Sequence, residues 1–143
     1  MQRTASAVWN GSLKEGQGTV STQSGVLSSA PYSFVTRFEN GKGTNPEELI
    51  GAAHAGCFAM ALSAQLATMN FTPQSIRTTA TVTLEKLEAG WTISKIHLDV
   101  AARIPGISTS AFESAATSAK ANCPVSRLLK AEITMDAILE RAA

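Results

Sequence analysis

Cysteine and charge are both scarce in this chain. Two of its 143 residues are cysteine and two are histidine, charged residues make up 16%, and the net charge is +1. A protein that neutralises phosphates needs a basic face, so this balance excludes a dedicated nucleic-acid binder. No run of like charge points to a membrane or polyanion partner. A glycine-rich nucleotide fingerprint is also missing, which removes the usual flavin and nicotinamide folds. The opening "MQRTASAVWNGSLKEGQG" lacks the apolar core of a secretory signal, so a cytoplasmic protein is expected. In that compartment a structural disulfide is rare, leaving the two cysteines free, reactive or metal-bound.

What is present is an ample apolar fraction. Hydrophobic residues reach 44%, which fits a globular chain, and 143 residues suit a single domain over 1–143. One long apolar run, Leu49 to Met69, has the length of a bilayer span. Its apolarity comes mainly from Ala and Gly, and it holds His54, Ser63 and Gln65. It therefore reads as a helix buried within a protein.

The pattern along the chain is α+β. "TASAVWN", "GTVSTQS" and "YSFVTRF" are short, rich in β-branched and aromatic residues, and separated by Gly, Ser and Pro, as strands are. Asn45 as N-cap, Pro46 at the first helical position and Glu47 and Glu48 in the first turn start a helix over 46–69. Two alternating runs around "EAG" make a hairpin. Ser110 with Glu113 resembles a capping box for a helix to about Asn122. Cys123-Pro124 opens a short helix to about Lys130, and "EITMDAIL" forms a last strand.

The cysteines occupy different settings. Cys123 precedes a proline at a helix start, where orphan N–H groups and the positive dipole end lower a thiol pKa. Cys57 lies mid-helix, in "GTNPEELIGAAHAGCFAMALSAQLATM", where burial raises it. Backbone physics alone thus makes Cys123 the reactive thiol, and Cys57 needs a cation from elsewhere. His54, three positions before Cys57, fits three roles: a base for that thiol, half of a metal site, or a helix residue bonded to a neighbour. A zinc site would draw on His54, Cys57, Cys123 and His97, but no paired C-x-x-C spacing is present, and no metal is expected. Two inert core thiols are the plain alternative.

The joined motifs "RFENGKGTNPEELIGAAHAGCFAMAL" and "CPVSRLLKAEITMD", with "GQGTVSTQSGVL" upstream, resemble the OsmC branch of the OsmC/Ohr family of thiol-dependent hydroperoxide reductases across essentially the whole chain. The resemblance implies an intertwined α+β homodimer, with antiparallel sheets around a buried central helix and active sites at the subunit interface. It assigns the peroxide-attacking thiol to Cys57, the resolving thiol to Cys123 and an arginine–glutamate pair to Arg37 and Glu47, and gives His54 no established role. An arginine beside Cys57 would supply the missing cation, held by a bidentate carboxylate.

The resulting expectation is reduction of an organic hydroperoxide to its alcohol through a Cys57 sulfenic acid and a Cys57–Cys123 disulfide. A dithiol, a dihydrolipoyl group by the resemblance, then reduces that disulfide. No cofactor is required. Phe34, Phe38, Phe58 and Met60 are candidates for the substrate tail or for plain core. Two rivals stand beside this reading: a non-enzymatic ligand-binding or structural dimer, and a hydrolase-like site built on Cys57 and His54. Glu47 and Cys57 are ten positions apart, roughly 15 Å along a helix, so Arg37 and Glu47 are expected to serve the Cys57 of a partner chain.

Overall fold

The computed structural model describes residues 1–141. Their contacts group into two compact units, Met1–Leu49 and the chain from Ile50 onward.

The first unit is built on a three-stranded antiparallel sheet in the order β1 (Ala5–Asn10), β2 (Gln17–Thr22), β3 (Ala30–Tyr32). Gly18 faces Trp9 on one neighbouring strand and Tyr32 on the other. The two rings close over it, with centroids 5.3 Å apart. A Cβ at Gly18 would meet the Tyr32 ring at 2.5 Å, so only glycine fits there.

"YSFVTRF" corrects the expectation of a strand. Only its first residue is in β3, and Phe34–Phe38 form a short helix, α1. The cause is local. Ser33 accepts from the Thr36 N–H at 3.3 Å, and the Ser33 N–H donates to Thr36 Oγ1 at 2.8 Å. This reciprocal cap satisfies two orphan donors and outweighs the β preference of Val and Phe. Asn45 then ties α1 to the next helix. Its Nδ2 donates to the Thr36 carbonyl at 3.2 Å, and its Oδ1 accepts from the Glu48 N–H at 2.8 Å.

Helix α2 runs Pro46–Thr68, close to the expected 46–69. It is long and apolar enough to cross a membrane by length and composition. Within the second unit, however, it buries a single stripe made by Gly51, His54, Phe58, Leu62 and Leu66, at helical spacing. Ala52, Ala53, Gly56, Met60, Ser63, Ala64 and Ala67 remain exposed.

The second sheet has the order β4 (Ser75–Leu87), β5 (Gly90–Arg103), β6 (Glu132–Glu140). β4 and β5 form the expected hairpin, closed between Leu87 and Gly90. β6 lies parallel to β5, so the sheets are not all antiparallel as expected. A parallel partner requires a long crossover, which α3 (Thr109–Asn122) and α4 (Pro124–Leu128) provide. α3 starts two residues earlier than its Ser110 signal suggests, because Ser108 takes the cap and accepts from the Ala111 N–H.

Alternate residues of β5, Ile96, Leu98, Val100 and Ala102, pack with Phe58, Leu62 and Leu66 of α2 and with Phe112, Ala115, Ala116 and Ala119 of α3. Cys123 is part of this cluster. Leu62→Ala removes a fully buried side chain and is expected to cost about 2–5 kcal/mol, read as a lower urea midpoint at unchanged slope.

Candidate active site

The residues singled out in the sequence form two constellations, one in each compact unit. In the first unit, the short α1 presents Arg37 to the first turn of α2. Arg37 Nε and Nη2 both donate to Glu47 Oε1, at 3.1 and 2.9 Å. The expected two-oxygen fork is therefore replaced by a chelate on one oxygen, and Glu47 Oε2 is buried without a partner. Glu48 turns elsewhere, accepting from Thr44 Oγ1 at 2.7 Å. The glutamate is nearly buried while Arg37 keeps 36% of its side chain exposed, so the cation is held at its base and open at its flank.

Beside Arg37 lies a cavity of about 250 Å³, lined by Trp9, Leu13, Tyr32, Ser33, Phe34 and Phe38 with Arg37 in its wall. The Arg37 guanidinium sits 5.3 Å from the Phe38 ring centroid, within cation–π range. Of the four residues considered for a substrate tail, Phe34 and Phe38 line this cavity. Phe58 is fully buried core, and Met60 is 76% exposed.

In the second unit, α2 and α4 bring the two cysteines together. Both are free, and their sulfurs share a hydrogen bond at 2.9 Å. Pro124 at the first position of α4 stops α3, whose last cap bond runs from the Cys123 N–H to the Ala119 carbonyl at 2.8 Å. The chain therefore turns at Cys123 and points its thiol toward Cys57.

Burial pushes the Cys57 thiol up, and the hydrogen bond and charge of Cys123 push it further. Burial also acts upward on Cys123. There it is outweighed by the hydrogen bond with Cys57 and by donors from Ser126 and Val125, so this thiol is held below its ordinary value. Of the two thiols, Cys123 is thus the more readily ionised. As a neutral thiol Cys123 makes no regular capping bond; the neighbouring N–H groups favour its thiolate, which accepts far more strongly.

His54 is fully buried. Its Nε2 bonds Ser126 Oγ at 2.7 Å, and Nδ1 has no partner. Burial pushes its pKa down, favouring the neutral ring. With one nitrogen on Ser126 and the other unpartnered, His54 does not activate Cys57, and the hydrolase-like pair is not formed. Ser126 itself escaped the sequence reading, although its place three residues after Cys123 in "CPVS" sets it one turn along α4.

His97 does not join the cysteines. Its Nδ1 bonds Thr134 Oγ1 at 2.5 Å, and its Nε2 lies 3.0 Å from Asp136 and 3.4 Å from Asp99. Among the described residues this is the group whose chemistry and spacing suit a cation, although its carboxylates already pair with the imidazole.

Residues 39–137 match the family model described as OsmC-like protein. The chain belongs to the OsmC family. It is 57% identical over 136 residues to Peroxiredoxin OsmC of Escherichia coli (strain K12) and equally so to that of Shigella flexneri, covering 95% of each chain. Among solved structures, an OsmC-like protein of unknown function from Vibrio cholerae matches with a TM-score of 0.76 at 19% identity, over 96% of this chain and 99% of that one. The organic hydroperoxide resistance protein OhrB of Bacillus subtilis matches at 0.68 and 22%, over 96% and 98%. These structural likenesses establish the mixed α+β OsmC fold.

Proposed function

We propose that this OsmC-family chain is a thiol peroxidase that reduces organic hydroperoxides to alcohols. The observation that carries the reading is the pair of free, unequal thiols 2.9 Å apart. The Cys57 thiolate attacks the terminal oxygen of ROOH. The O–O bond breaks, Cys57 becomes a sulfenic acid, and the alkoxide takes a proton to leave as the alcohol. The Cys123 thiolate then attacks the Cys57 sulfur, displacing hydroxide, which leaves as water. An external dithiol, for which a dihydrolipoyl group is the proposed donor, reduces the disulfide by exchange. No metal, flavin or nicotinamide takes part in these steps.

Burial and Cys123 both act against a Cys57 thiolate, so catalysis needs a cation there. Arg37, positioned by Glu47, is the proposed source, and it also polarises the peroxide oxygen. The aromatic cavity beside Arg37 supports an apolar substrate tail, hence an organic hydroperoxide in preference to hydrogen peroxide.

The exposed flank of α2 is rich in Ala, Gly and Met, and this supports a homodimer in which the helix becomes central and buried. Residues 1–143 would then act as one intertwined OsmC-like domain per subunit, acting in the cytoplasm without nucleic acid or membrane. Thiol counting separates this reading from a dimer with inert core thiols. Reduced protein should show two thiols before one equivalent of cumene hydroperoxide and none after it. Two thiols remaining would support the inert dimer.

A further inference from the structure

We propose that the Cys57–Cys123 disulfide is reopened at Cys57: the donor thiolate attacks the Cys57 sulfur, and Cys123 is the leaving group. The inference rests on the peroxidase reading above and names the sulfur on which its reductive half-reaction begins. The two residues differ in access. Cys123 is fully buried and belongs to the core cluster with Phe112, Ala115, Ala116 and Ala119. Cys57 is only half-buried and packs at the edge of that cluster. Backbone bonds hold Cys123 in place: its N–H donates to the Ala119 carbonyl at 2.8 Å, and its carbonyl accepts from the Arg127 N–H at 3.0 Å.

Access decides the point of attack because exchange is a displacement at sulfur. The incoming lone pair enters the S–S bond from behind, so the side of the attacked sulfur that faces away from its partner must be open. For Cys123 that side is closed, since a fully buried residue has no face reachable from solvent. Closing the 2.9 Å between the thiols to a covalent bond of about 2.0 Å takes less than about 1 Å of movement, too little to uncover it. The enclosure comes from elements of the same compact unit, so pairing with a second copy can only deepen it. Cys57 must stay reachable, because the peroxide meets that same sulfur.

The leaving group agrees with this choice. Exchange is faster when the departing thiol is the more acidic one, and Cys123 is the more readily ionised of the two. In the first step a donor lone pair forms a bond to the Cys57 sulfur, the Cys57–Cys123 bond breaks, and Cys123 departs with its electron pair as thiolate. In the second, the donor's other thiolate attacks the donor sulfur of the mixed disulfide. That closes the donor's own disulfide and releases Cys57 as thiolate. Two electrons pass from donor to protein, and the two protons shed by the donor go to solvent or to the cysteines. One sulfur thus receives oxygen in one half-reaction and the donor in the other.

Mercaptoethanol tests this on the unaltered chain, because a monothiol cannot close a ring of its own and leaves its mixed disulfide in place. Protein oxidised with one equivalent of cumene hydroperoxide, and a second sample oxidised with diamide, are mixed with the monothiol. Both are quenched at successive times in acidic urea with N-ethylmaleimide. At the earliest times, peptide mass mapping should find mercaptoethanol on Cys57 and maleimide on Cys123, in excess of the reverse pattern by about tenfold or more. An adduct chiefly on Cys123, or an even split, would overturn the assignment. A second readout follows access alone. In native Cys57→Ser protein, dithiodipyridine should label Cys123 about a hundredfold more slowly than in urea, because labelling waits on local opening. The acidity of this thiol would by itself favour fast labelling. Cys57 in Cys123→Ser protein should show no such lag. Equal rates for native and unfolded Cys123 would also overturn the assignment. If diamide forms the disulfide and the peroxide does not, the peroxidase reading is what fails, and the diamide sample still decides which sulfur is attacked. A chain that forms no disulfide with either oxidant overturns both.

Discussion

Cys57→Ser is expected to abolish peroxide consumption, by at least about a thousandfold, while Cys123→Ser still consumes one equivalent and then stops. The asymmetry follows from the order of the two bonds made. Oxygen transfer needs only Cys57 and a cation, whereas disulfide closure needs both sulfurs. In Cys123→Ser the sulfenic acid at Cys57 has no neighbouring thiol to condense with, so dimedone should label it there, as peptide mass mapping can show. The reverse pattern, with Cys57→Ser active in a single turnover and Cys123→Ser inert, would make Cys123 the nucleophile. That outcome has a physical basis, because Cys123 is the more readily ionised thiol in the isolated chain. The experiment therefore separates intrinsic acidity from the field proposed for Arg37.

A mixed dimer carrying Cys57→Ser on one chain and Arg37→Ala on the other should retain about half of wild-type activity. The two lesions fall in one shared site and leave the other intact if Arg37 serves the partner's Cys57. The motive lies in α2. Glu47 holds Arg37 at its first turn, and Cys57 follows ten positions later, roughly 15 Å of rise on a continuous helix. Antiparallel packing of two such helices about a two-fold axis carries each first turn toward the middle of the other. Activity near zero in the isolated heterodimer would place Arg37 and Cys57 of the same chain together.

The parts of this fold most readable in sequence are those set by local chemistry. Asn45, Pro46 and two glutamates announce α2, and "EAG" between alternating runs announces the β4–β5 hairpin. α1 was hidden because its five residues are all tolerable in a strand. Its helix depends on one serine–threonine exchange, and S-x-x-T is a weaker signature than S-x-x-E. The direction of β6 was hidden for a different reason. Nine alternating residues fit a parallel or an antiparallel neighbour equally, and the choice rests on where the α3–α4 crossover delivers them. The site shows the same division. The motif pointed to Arg37, Glu47, Cys57 and Cys123, and the Arg37–Glu47 ion pair is present. Ser126 was passed over because a serine in a short helix is chemically unremarkable until His54 is found against it, 72 residues away in sequence.

The 2.9 Å between the sulfurs also bears on how the protein survives its own substrate. A sulfenic acid that waits is open to a second peroxide molecule, which would carry it to the sulfinic acid and end turnover. Whether that happens is a race between a unimolecular and a bimolecular step. With the second sulfur held at near-attack distance, the effective molarity of Cys123 should stand on the order of molar or higher. A peroxide at micromolar concentration then loses by several orders of magnitude. Inactivation should become appreciable only when the substrate is raised toward the molarity that the fold has built in.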